Sequence, residues 1–253
     1  MIANITKAEL DELAQKYDKS DFIEADPIST AHKYAKPEEI EVIGFIAALF
    51  AYGSRKVFIP KLNTLFSKMG ASPIEYLKRG DFSNLDGFNY RFAKEEDVAA
   101  ILSVLSKLYN SGESLGSLFK YGYETTGTIL GMFKVVTDYF YSNAEHAGEG
   151  FYFMLANPNK GGAMKRMNMY LRWMVRKSEV DFGIWDFIPK SELLIPLDVH
   201  VARISREMNL LTRKSNDFKA VLELTNNLKQ FDSEDPVKYD FAIYGLGINR
   251  VTK

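Results

Sequence analysis

Two side chains between Asn157 and Leu211 have the types and setting for chemistry: Lys165 and Asp198. A lysine amine that has lost its proton attacks electrophilic carbon and forms a Schiff base with a carbonyl. A carboxylate opposes positive charge as it develops on a reacting group, most strongly where water is excluded. Free lysine titrates near ~10.4, so the first role needs surroundings that bring that value down toward neutrality. Each residue also has an ordinary structural reading. Lys165, Arg172 and Arg176 recur at i, i+7 and i+11 and share one helix face, which suits a solvated basic surface. Asp198 stands where a helix takes an N-cap, a role whose loss costs roughly 1 kcal/mol.

The elements that must position this pair are legible around them. Pro158, Asn159, Gly161 and Gly162 fall within five residues and signal a tight turn. Glycine there permits positive φ and close approach of another backbone. A helix pattern follows at once, with Met164, Met167, Leu171 and Met174 as its apolar stripe. Its N-terminal amides suit an anion such as phosphate. Further on, Ile195-Pro196 blocks an early helix start, and Val201, Ile204, Met208 and Leu211 form the stripe of the helix that Asp198 opens. Between the two helices, Phe182, Trp185 and Phe187 could wall a pocket for a flat ring or simply belong to the core.

Composition narrows the classes. The chain has 253 residues, 46% hydrophobic, enough for a full core in one or two domains. Its net charge of −1 gives no global attraction to nucleic acid, so any such site must be a local basic patch. With no cysteine there are no disulfides and no thiolate metal sites, and the three histidines, His32, His146 and His200, are scattered. No metal or cofactor is expected. The N-terminal stretch reads as a polar helix without the basic start or apolar run of a signal peptide, and no run reaches the ~18–20 apolar residues of a membrane span. These features lead us to expect a soluble, cytoplasmic protein.

The remaining elements read as helices. Pro37-Glu38-Glu39 opens a helix to about Ala51 that is apolar on most sides and therefore buried, ending at Tyr52-Gly53-Ser54. Arg55 and Lys56 begin the next. Helices are expected from Ser72-Pro73, over Glu95–Asn110, Leu115–Tyr123, Thr128–Tyr141 and Lys219–Gln230, with a last one from Asp235-Pro236 that Gly245 and Gly247 stop. Asp21–Lys36 and Asp81–Tyr90 read as loops, and strand signals are almost absent.

Three segments carry a resemblance. Pro196-Leu197-Asp198-Val199-His200-Val201 with Arg203 resembles the P-V-D-x-H-V-x-R segment of the helix–hairpin–helix DNA glycosylase superfamily, which includes endonuclease III and the 8-oxoguanine glycosylases. The upstream glycine hairpin, and the helix Phe45–Gly53 with the following Lys61-Leu62, are similar to that superfamily's hairpin and lesion-side helix. Lys165–Arg176, Ile195–His200 and Asp235–Gly247 also resemble an uncharacterised bacterial group within it, over most of the chain. There are departures. The usual hairpin, L-P-G-V-G-x-K, has lysine where this chain has Ala163; the lysine nearest in register is Lys165, and Lys160 competes. The spacing to Asp198 is similar to that of the archaeal 8-oxoguanine branch and longer than in endonuclease III. The four cysteines of an iron–sulfur loop are missing, so no cluster is expected.

The resemblance implies an all-α fold of two helical lobes with a cleft between them. One lobe, 41–180, would carry the helix–hairpin–helix; the other, 1–40 plus 181–253, would carry Asp198. It implies a monomeric DNA N-glycosylase acting on double-stranded DNA with a damaged base, with apurinic-site lyase activity and an oxidised purine such as 8-oxoguanine as substrate. Lys165 and Asp198 would be catalytic. Lys160, Gly161, Gly162, Arg166, Arg172, Arg55 and Tyr52 would bind DNA. The alternatives are a monofunctional glycosylase for another damaged base and a non-catalytic helix–hairpin–helix DNA-binding protein.

Overall fold

The structure, a computed structural model, describes residues 5–24 and 26–251; residues 1–4 of the expected N-terminal polar stretch lie outside them. The all-α expectation holds. A capping box at Thr6, whose hydroxyl and Glu9 satisfy each other's amides, starts α1 (Lys7–Tyr17). The stretch expected as loop carries short 3₁₀ turns, one of them Pro27–Lys33. Proline at the first turn and two acids then open α2 (Pro37–Leu49), which is buried all round, as its continuous apolar sequence requires. After it come α3 (Arg55–Met69) and α4 (Pro73–Arg79). A two-residue hairpin follows, β1 (Asn89–Tyr90) against β2 (Ala93–Lys94), the one sheet among the described residues. It leads into α5 (Glu95–Asn110), with the bounds expected. The helical pair α6 (Leu115–Thr126) and α7 (Ile129–Asn143) turns on left-handed Gly127. Then come α8 (Glu149–Met154), α9 (Lys165–Val175), α10 (Val199–Glu207), α11 (Phe218–Lys229) and α12 (Asp240–Val251).

The chain divides into two compact units, Met1–Glu24 with Asn159–Lys253, and Ala25–Pro158. This differs from the expected boundaries at 40/41 and 180/181, and packing gives the reason. The 3₁₀ turn Pro27–Lys33 lies against α2 and so joins the second unit. α9 joins the first because Arg176 reaches Asp18 and Asp235 while Arg172 reaches Asp240. The consequence for function is direct: the hairpin, Lys165 and Asp198 share one unit, and Tyr52 and Arg55 belong to the other.

α12 also corrects the expected stop at Gly245 and Gly247, since the helix runs through both. Gly245 serves close packing instead. A Cβ there would stand 2.6 Å from the Tyr17 ring, so the bare backbone lets α1 and α12 touch.

Candidate functional site

The hairpin enters α9 through two left-handed residues. Gly161 has φ +70°, and Met164, the N-cap of α9, has φ +50°. Positive φ is uncommon outside glycine, and here the buried Met164 side chain helps to hold it. The helix thus begins one residue later than its apolar stripe suggested. No side chain caps it; the Asn168 side-chain amide instead donates to the Ala163 carbonyl at 3.1 Å and steadies the turn. A second clamp comes from α11. Gly162 forms an antiparallel bridge with Asp217, and the Phe218 amide donates to the Gly161 carbonyl at 2.9 Å. Asp217 caps α11 and pairs with Arg213, which holds its carboxyl down to about 2. Lys160, Gly161 and Gly162 are exposed, and Lys165 and Arg166 are half-buried.

Asp198 caps α10 as the sequence predicted. Its Oδ1 accepts from the His200 and Val201 amides at 2.8 and 2.9 Å. Its Oδ2 takes no hydrogen bond among the described residues, and the side chain is half-buried. The structural role therefore occupies one oxygen, and no described residue engages the other.

Below this pair lies a buried ionic network. Arg172 is 2% exposed; its Nε donates to Asp181 at 3.2 Å, its other arm pairs with Asp240, and its guanidinium sits 4.3 Å from the Phe241 ring. Arg176 joins Asp181, Asp18 and Asp235 at 3.0, 2.7 and 2.9 Å. Neither arginine is on a solvated face. Arg172, expected as a DNA contact, is instead a structural cation, because four carboxylates of the same unit converge on α9.

Asp240 is the residue that sequence reasoning missed. Burial raises its pKa to about 6; Arg172 opposes the rise, the Asp198 charge adds to it and the Lys165 charge opposes it. Lys165 and Asp198 therefore both act on one buried carboxyl. Its only sequence signal is an acid at the start of the last helix, which reads equally well as a cap.

In the second unit, Tyr52 lies in the α2–α3 turn. Its hydroxyl donates to the Tyr90 carbonyl at 3.0 Å, and the Tyr90 hydroxyl donates back to the Tyr52 carbonyl. Arg55 pairs with Asp26 at 3.3 Å. Both are half-buried and fixed by their own unit. Of the aromatics after α9, Trp185 is buried edge-on against Tyr170 at 5.4 Å and so belongs to the core. Among the described residues no group of three or more His, Cys, Asp or Glu could hold a metal ion, and no helix is long and apolar enough to cross a membrane.

Residues 26–249 match the family described as "Protein of unknown function (DUF2400)". The chain belongs to this family. No curated protein and no solved structure matches it. The DUF2400 match takes in the hairpin, Lys165, Asp198 and Asp240, and leaves α1 outside.

Asp240 gives this DUF2400 chain a pH signature. A folded-state pKa above the usual value of 3.8 means the native state binds more protons between about pH 4 and 6. Stability therefore falls as pH rises through that window and levels off above it. The span corresponds to on the order of 3 kcal/mol. Urea midpoints of wild type and Asp240→Asn, taken from pH 4 to 8, should differ by a slope confined to that window; parallel curves would contradict the assignment.

Proposed function

We propose that this protein is a bifunctional DNA glycosylase that removes an oxidised purine, such as 8-oxoguanine, from double-stranded DNA and then cleaves the strand. The observation that carries the reading is that Asp198 caps α10 through Oδ1 with no hydrogen bond to Oδ2 among the described residues, while its charge and that of Lys165 both bear on buried Asp240. The resemblance of the hairpin and the Asp198 segment to the helix–hairpin–helix glycosylases supports it.

The chemistry follows from these residues. A base inside a duplex is out of reach, so the damaged nucleotide must be extruded at a cost of a few kcal/mol. The N-terminus of α9, which no side chain caps, and exposed Lys160 suit a phosphate of the same strand, with Arg166 adding charge. As the glycosidic bond breaks, positive charge develops on the deoxyribose, and the Asp198 carboxylate opposes it. The deprotonated Lys165 amine attacks C1′ and the base leaves with the bond's electron pair. Ring opening gives a Schiff base, whose C2′ proton is then lost as the 3′ phosphate leaves by β-elimination. Lys165 must first give up its proton.

A panel of duplexes, each with one damaged base, scored separately for base release and nicking, tests the proposal. Release with nicking from an oxidised-purine duplex is the expected result. Release without nicking would leave a monofunctional glycosylase. Salt-sensitive binding with no release from any duplex would leave a non-catalytic DNA binder.

A further inference from the structure

We propose that the second unit carries its own nucleobase site, in which the rings of Phe92 and Phe153, backed by Tyr52, stack on an unpaired base while Arg91 holds the adjoining phosphate. This deepens the DNA reading and rests on it for the partner, but not on Lys165 or Asp198 for its chemistry.

The three rings form one cluster. Phe92 lies 4.7 Å from Phe153 and 6.5 Å from Tyr52, and Tyr52 lies 4.9 Å from Phe153, centroid to centroid. Phe92 is 55% exposed and Phe153 39%. Adjacent large rings left in water mark a binding surface.

The surface is also rigidly built. Phe92 sits in the turn between β1 and β2, and Phe153 sits on α8. Buried Asp97 ties the two together by accepting the Lys94 amide at 3.0 Å and the Phe151 amide at 2.9 Å. Gly150 lets them close up, because a Cβ there would stand 2.1 Å from the Phe92 carbonyl oxygen. The reciprocal tyrosine bonds described above fix Tyr52 to the same hairpin. Rings held this way lose little freedom when a ligand arrives.

The chemistry around the rings selects the occupant. A pocket of about 510 Å³ opens beside them, lined by Arg91, Phe92, Lys94, Phe153 and the acids Glu96 and Glu149, with Asp97 beneath. That volume suits a small flat ligand. Arg91 is exposed, is held at the turn with φ +53°, and places its guanidinium 5.8 Å from the Phe92 ring. Lys94 leans toward Glu96 at 3.8 Å. Stacking rings with a cation beside them match a nucleotide, and the two rim carboxylates are acceptors for exocyclic amino groups on its base. Bases within a paired stack have no open face, so the partner is DNA with an unpaired nucleotide.

The test is binding of wild type, Phe92→Ala/Phe153→Ala and Phe92→Tyr/Phe153→Tyr to a duplex with a single-base 2-aminopurine bulge and to its fully paired counterpart. Wild type and the tyrosine variant should prefer the bulge and quench its fluorescence. The alanine variant should bind the bulge roughly 5–150-fold more weakly, as expected for one stacked base, with paired-duplex affinity unchanged and the protein still melting cooperatively, at a somewhat lower temperature because ring packing is lost. An alanine variant that keeps the preference, a wild type without one, or a wild-type dimer that the alanine change dissolves would each overturn the proposal. The outcome is independent of excision. Lost bulge binding with no base release from any duplex would refute the glycosylase reading alone, and base release with bulge binding unaffected would refute this site alone.

Discussion

Replacing Asp198 by asparagine is expected to slow base release about 100- to 1000-fold while leaving thermal stability essentially unchanged. Asparagine is as good an N-cap as aspartate, so Oδ1 of the new amide keeps the His200 and Val201 amides satisfied. What disappears is the negative charge at Oδ2, and removing one such preorganised electrostatic contact costs roughly 10²–10³ in rate. Asp198→Ala gives the complementary result, because it loses the cap as well and should cost about 1 kcal/mol of stability. Single-turnover excision with melting curves on the three proteins separates the roles. Excision by Asp198→Asn at the wild-type rate would reduce Asp198 to a cap.

Arg172→Met should cost the first unit a large part of its stability. Breaking a buried ion pair by removing one partner costs about 3–5 kcal/mol, equivalent to a fall of roughly 6–20 °C in Tm for a chain of this size. Methionine preserves much of the volume and the contact with Phe241, so the loss reports the charge. Asp181 keeps Arg176, but Asp240 has no other ion-pair partner among the described residues. Asp240 can neutralise itself by taking a proton, and without Arg172 to oppose the rise it does so at higher pH than in wild type, so the penalty should shrink as pH falls toward about 6 and level off below it. A loss below 1 kcal/mol, or one that does not vary with pH, would mean that the network does not hold α9 as described.

Much of this was legible in the sequence, and the misses have local causes. The Asp198 cap could be read because Ile195-Pro196 excludes other starts and the apolar stripe begins at Val201. The bounds of α5 were plain because three acids open it and its apolar period is unbroken. The arginines of α9 misled. Their spacing is that of a solvated face, and nothing local shows that Asp18, Asp181, Asp235 and Asp240, up to 158 residues away in sequence, converge on them. Gly245 misled in the same way, because its reason is the Tyr17 ring across the unit and not its own helix. Met164 looked like the first helical residue because its side chain is on the apolar stripe, while its backbone is left-handed. The pocket beside Phe92 was hidden because the β1–β2 turn and α8, far apart in sequence, are brought together by tertiary contacts through Asp97, Gly150 and the rings of Phe92 and Phe153.

The most direct test of the central claim is borohydride trapping on duplex DNA with an oxidised purine, comparing wild type with Lys165→Gln and Lys160→Gln. Wild type and Lys160→Gln should give a covalent protein–DNA adduct, and Lys165→Gln should give none. An adduct that survives in Lys165→Gln, or that disappears in Lys160→Gln instead, would contradict the assignment of Lys165 as the nucleophile beside Asp198.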